Sequence, residues 1–90
     1  GPPDAVLREV RELLAADGVE LSFSEGALRE IVRYAMARRA GTRALRAIVH
    51  EVLADLLFEA PERRGTRVAV DAAFVRRKVE AMDPGVTAEP

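Results

Sequence analysis

The sequence contains no cysteine, which excludes disulfides, thiolate nucleophiles and cysteine-held metals. It has one histidine, His50, and a single histidine forms no ligand cluster by itself. Aromatic residues make up only 4% of the chain, so single-stranded nucleic acid finds no stacking platform. Net charge is nearly absent as well. Fourteen basic residues against fifteen acidic ones leave −1, which argues against a strongly electrostatic nucleic-acid binder. No apolar run approaches the roughly 20 residues of a membrane helix, and no secretory pattern opens the chain. These absences together lead us to expect a soluble, cytoplasmic module that engages neither membrane nor nucleic acid.

What is present is ordinary globular composition, 49% hydrophobic and 32% charged over ninety residues. That length makes one domain, and a domain this small buries only about 60–65% of its unfolded surface. Residues 1–4 read as a lead-in, from a hinge or from tag removal, with Asp4 as N-cap. From Ala5 to Ala16, Val6, Leu7, Val10, Leu13 and Leu14 recur at helical spacing, and Asp17-Gly18 ends the helix. The period then changes to two: Val19, Leu21 and Phe23 alternate with Glu20 and Ser22, which predicts a short strand. Ser24 is placed to cap a second helix running to Arg39, with Leu28, Ile31, Val32, Ala35 and Met36 on its apolar stripe. After Gly41, Thr42 is placed to cap a third helix over Arg43–Glu59. Its leucine- and valine-rich stripe is the predicted centre of the core. Pro61 stops that helix, Val68 and Val70 predict a second short strand, and Asp71 caps a last helix over Ala72–Met82. Asp83–Pro90 reads as a tail. The predicted fold class is α+β and mainly helical: about four helices with a minimal two-stranded sheet, filling residues 5–82.

The chain carries no complete catalytic site. It has no phosphate-binding glycine loop, no nucleophile with a base beside it and no metal constellation. Carboxylates at helical spacing, such as Glu51 and Asp55, read as a solvated helix face. One local feature is unusual: Arg38, Arg39, Arg43 and Arg46 fall within nine residues of an acidic chain. Arg38 and Arg39 close a helix, where positive charge suits the macrodipole. Arg43 and Arg46 instead lie in the first turn of one, where it does not. Free N–H groups, Gly41, Thr42 and two arginines make that helix start a candidate anion site. The alternative from the residues alone is that both arginines pair with acidic neighbours in the fold.

The runs GVELSF (Gly18–Phe23), Ala27-Leu28 and GTRALRAI (Gly41–Ile48), with the leucine-rich helix ending at Pro61, follow one family's order. Together they resemble the C-terminal small domain of ClpX unfoldases, AAA+ ATPases of the Clp/Hsp100 group, over about Pro2 to Val75. In that family a Gly-Ala-Arg motif at the start of the central helix is sensor 2, whose arginine reaches toward the phosphates of ATP. The resemblance therefore implies Arg43 as the sensor-2 arginine, supported by Gly41, Thr42 and Arg46. Thr42 stands where the family usually has alanine, and Ala44 where glycine is common. It further implies a parent that binds ATP with Mg, forms a homohexamer and delivers unfolded substrates to a ClpP-type peptidase through regions outside these residues. The domain would pack on the large AAA+ domain of its own chain and of the neighbouring subunit. Alone it would bind no nucleotide tightly and have no activity. Two alternatives stand beside this reading: the lid of another AAA+ machine (HslU, Lon or ClpB type), and a free-standing helical interaction module.

Overall fold

Two strand–cap–helix units organise the chain, and a pair of helices bridges them. In the computed structural model, which describes residues 1–38 and 41–84, the elements are α1 (Pro2–Ala16), β1 (Glu20–Phe23) and α2 (Glu25–Arg38), then α3 (Thr42–Val52) and α4 (Ala54–Glu59). A 3-10 turn (Ala60–Glu62), β2 (Arg67–Val70) and α5 (Ala72–Met82) follow. The strands pair in parallel, Leu21 beside Val68 and Phe23 beside Val70. Parallel pairing demands a long crossover, and α2, α3 and α4 supply it. Both predicted caps form: Ser24 Oγ accepts from Ala27 N–H at 3.0 Å, and Asp71 Oδ1 from Phe74 N–H at 2.8 Å. Gly18 makes the turn into β1 at φ +77°, and a Cβ there would stand 2.8 Å from Arg64 Cγ. Only glycine fits that turn without displacing Arg64.

The core gathers Val6, Val10 and Leu14 of α1, Ile31 and Tyr34 of α2, the apolar face of α3, and Val75 and Val79 of α5. The third-helix stripe does form its centre: Leu45, Ile48, Val49, Val52, Leu53 and Leu56 are all buried. Among the described residues no charged side chain is buried.

The elements depart from the sequence reading in several places. The first helix begins at Pro2, because proline is pre-set for a first helical turn. Asp4 consequently lies inside that turn, where its Oδ2 accepts from the Gly1 nitrogen at 3.3 Å, and is not the N-cap. Leu13 is half exposed on α1. On α2 the buried residues are Ala27, Ile31, Tyr34 and Ala35, whereas Val32 and Met36 face outward and Leu28 is only half buried. The helix has turned so that the tyrosine ring fills the core. The predicted third helix breaks at Leu53, whose backbone (φ −101°, ψ 9°) leaves the helical well. Leu53 N–H still reaches Val49 O and Leu57 N–H still reaches Leu53 O, so the apolar period runs through the break and conceals it. Arg39, the predicted end of the second helix, and residues 85–90 of the predicted tail lie outside the described residues.

Candidate functional site

The start of α3, which follows α2, is built differently from the starts of α2 and α5, which follow strands. Its N-cap is Gly41, at φ +127° and ψ 171°, a conformation essentially reserved for glycine. Thr42 is therefore the first helical residue, and its hydroxyl caps nothing; no side chain caps this helix. The first intrahelical bond runs from Leu45 N–H to Gly41 O at 3.1 Å, leaving the amides of Thr42, Arg43 and Ala44 ahead of it. No acidic residue occupies the first turn. These uncapped donors lie at the positive end of the helix dipole, and the exposed Arg43 adds a full positive charge to them.

The arginine cluster separates into different roles. Arg38 grips Glu51 with two hydrogen bonds, Nη2 to Oε1 at 2.7 Å and Nη1 to Oε2 at 2.8 Å, and ties the end of α2 to the last turn of α3. The Arg38 guanidinium in turn holds the Glu51 carboxyl below its ordinary value. Arg46 is held by Glu9 of α1, with its shortest contact at 2.9 Å. Arg43 makes no hydrogen bond or ion pair with any described residue. The alternative that both arginines pair with acids thus holds for Arg46, whereas Arg43 has no such partner among the described residues. Arg39 lies outside the described residues. The carboxylates at Glu51 and Asp55 go separate ways, Asp55 accepting from Lys78 Nζ at 3.1 Å, and His50 is half buried in the last turn of α3.

Beside this helix start opens an apolar groove. Pro3 of α1, Val32, Ala35 and Met36 of α2, and Thr42 and Leu45 of α3 line it, with Met36 62% exposed. Val32 and Met36, which the sequence pattern assigned to the buried stripe of α2, supply part of the groove's lining. A second cluster lies between α2 and α5, where Glu30 contacts Arg33 at 3.0 Å and Arg76 at 3.7 Å beside the buried Tyr34. Hydrogen bonding from Arg33 lowers the Glu30 carboxyl, while burial pushes the Tyr34 phenol up. Neither the groove nor the partnership of Glu9 was expressed in the sequence. Glu9 has the spacing of a solvated helix face, and its partner lies 37 positions away. Among the described residues no three histidine, aspartate or glutamate side chains gather closely enough to hold a metal.

The fold and family together define the class: a small C-terminal domain of an AAA+ ATPase. Residues 4–72 match the family described as the C-terminal, D2-small domain of ClpB protein, and the chain belongs to that family. Its curated relatives include proteins named ATP-dependent protease ATPase subunit HslU. The one from Nitratidesulfovibrio vulgaris (strain DSM 19637 / Miyazaki F) is 44% identical over 80 residues, covering 83% of this chain and 17% of the relative. The one from Thermotoga petrophila is 39% identical over 84 residues, with 88% and 18% covered. The one from Methylobacterium sp. (strain 4-46) is 34% identical over 83 residues, with 87% and 19% covered. The chain thus spans less than a fifth of the length of these relatives. The comparisons carry the AAA+ small-domain part of the resemblance, and they name HslU and ClpB, which the sequence reading gave as alternatives, and not ClpX, which it placed first.

Proposed function

We propose that this chain is the lid domain of an ATP-dependent protein unfoldase of the HslU type, occupying residues 5–82, with Arg43 as its sensor-2 arginine. The observation that carries this reading is that Arg43 lacks any carboxylate partner among the described residues, in the first turn of a helix whose own cap carries no side chain. The donors there fit a phosphate: backbone amides and a planar guanidinium, with no acidic residue in the first turn to repel it. They do not fit Mg, which carboxylates of another domain would have to hold. In the parent, bound ATP supplies the negative charge that Arg43 meets. Arg43 donates to its phosphate oxygens and so draws α3 toward the nucleotide. When hydrolysis removes that acceptor, Arg43 lets go and the lid is free to rotate.

The remaining partners follow the same reading. The lid packs on the large domain of its own chain and on that of the next subunit in a homohexameric, cytoplasmic ring that feeds a peptidase. Phe58 on α4, 86% exposed, supports an outward packing face of this kind. A ClpX-type parent is the second reading, favoured by the GVELSF strand (Gly18–Phe23) and the leucine-rich run into Pro61. A zinc-binding domain elsewhere in the parent would select it over HslU.

The test is Arg43→Ala and Arg43→Lys in the full-length protein, with ATP affinity and hydrolysis measured. A hydrogen bond between charged partners contributes about 1.5–3 kcal/mol, so the alanine variant should lose roughly ten- to hundredfold. Lysine should recover only part, because it keeps the charge and not the fork. Unchanged affinity and unchanged hydrolysis would remove Arg43 from this role.

A further inference from the structure

Arg46 follows Arg43 by three positions and shares its face of α3. Its guanidinium is engaged by Glu9 through three hydrogen bonds: Nη2 to Oε2 at 2.9 Å, Nη2 to Oε1 at 3.1 Å, and Nε to Oε1 at 3.3 Å. That contact commits two of the three guanidinium nitrogens sideways, toward α1. Among the described residues it is also the ion pair that joins α1 to α3. At the opposite end of α3, the two bonds between Arg38 and Glu51 join the helix to α2. The buried face of α3 holds the helix in the core, two charged struts on different sides trim its rotation about its own axis, and that rotation decides where Arg43, unpaired among the described residues, points.

We propose that Glu9 is a positioning residue: by holding Arg46 against α1 it sets the rotation of α3 that presents Arg43 to a nucleotide phosphate, and Arg46 itself is a strut with no phosphate contact. This rests on the reading of Arg43 as the sensor-2 arginine. The side chains of the pair are 45% and 49% exposed, so the contact does little for stability. Its effect belongs to orientation, which separates the proposal from a merely structural role.

The experiment is a charge reversal in the full-length ATPase: Glu9→Arg, Arg46→Glu and the two together. Glu9→Gln serves as the mild variant and Arg43→Ala as the reference. The readouts are affinity for a fluorescent ATP analogue, KM and kcat for hydrolysis, and the thermal midpoint. Each single reversal should weaken analogue binding about two- to fivefold, the factor that a half-exposed ion pair supplies, with the thermal midpoint unmoved. Glu9→Gln should move binding in the same direction by less. The double reversal should restore affinity, because the strut is rebuilt with its charges exchanged. If the double variant stays as weak as Arg46→Glu, rebuilding the strut does not restore the presentation of Arg43 and the proposal is overturned. Single variants that bind normally while Arg43→Ala does not would overturn it too, with the sensor-2 reading intact. A loss of affinity that merely tracks a lowered thermal midpoint would reduce the pair to a structural contact. Normal binding by Arg43→Ala would instead remove the reading beneath it.

Discussion

Two helices of eleven residues, α3 and α5, begin in opposite ways. The start of α5 is closed by its own chain: Asp71 receives the Phe74 amide at 2.8 Å and sets a carboxylate against the positive end of the dipole. The start of α3 has glycine in the capping place, no acidic residue in the first turn and an arginine where negative charge is favoured. Deeper along the two helices the contrast disappears, since Ile48 and Val49 are as fully buried as Val75. A helix start can therefore be left unsatisfied when the core behind it holds the helix in place. What α5 spends its first turn on, capping itself, α3 leaves available for a ligand.

Three substitutions test that contrast, in falling order of effect. Gly41→Ala should destabilise the chain by about 1–3 kcal/mol, because the backbone conformation at this position suits only glycine. The added methyl would meet nothing within 4 Å, so the whole cost is conformational. Denaturant unfolding checks it, and an unchanged midpoint would mean that the start of α3 relaxes freely. Asp71→Ala should cost about 1 kcal/mol, the ordinary loss of an aspartate cap, and faster amide exchange at Phe74 should accompany it. Arg43→Ala should do the reverse and stabilise the chain by about 0.3–1 kcal/mol, since it removes a cation from the positive end of a helix. A calorimetric melt of that variant falling below the parent's would show that Arg43 serves the fold.

Much of the architecture was legible because it rests on local signals. Ser24 and Asp71 mark their caps, the period of two at Val19–Phe23 and Val68–Val70 marks the strands, and α5 ends at Met82 as its pattern requires. The failures share a physical origin in choices that local patterning leaves open. Tyr34 has no place in the predicted apolar stripe of α2, yet it is buried in the core while Met36 of that stripe is exposed. The break at Leu53 is silent because the apolar spacing continues through it. Of the candidate site, Gly41 and Arg43 were visible as a helix start with a misplaced charge. The pairing that sets Arg46 apart was not, since Glu9 becomes its neighbour only through tertiary packing. Thr42 was assigned the capping role that Gly41 fills, because residue type suggests a hydroxyl cap where the backbone demanded glycine.

The parallel pairing of β1 with β2 has a consequence for how this chain is made. About half the sequence separates Leu21 from its partner Val68, so on the ribosome the first strand emerges long before the second exists. Closing so distant a contact carries a large entropic cost, whereas α2 and α3 are sequence neighbours and dock at much lower cost. Until β2 arrives, the backbone edge of β1 has no partner strand, and the apolar side chain of Leu21 awaits its cover. In the interval between synthesis of Phe23 and of Val70 that edge is open to pairing with another chain. The polar Glu20 and Ser22, alternating with Leu21 and Phe23, limit what another chain could add to that edge.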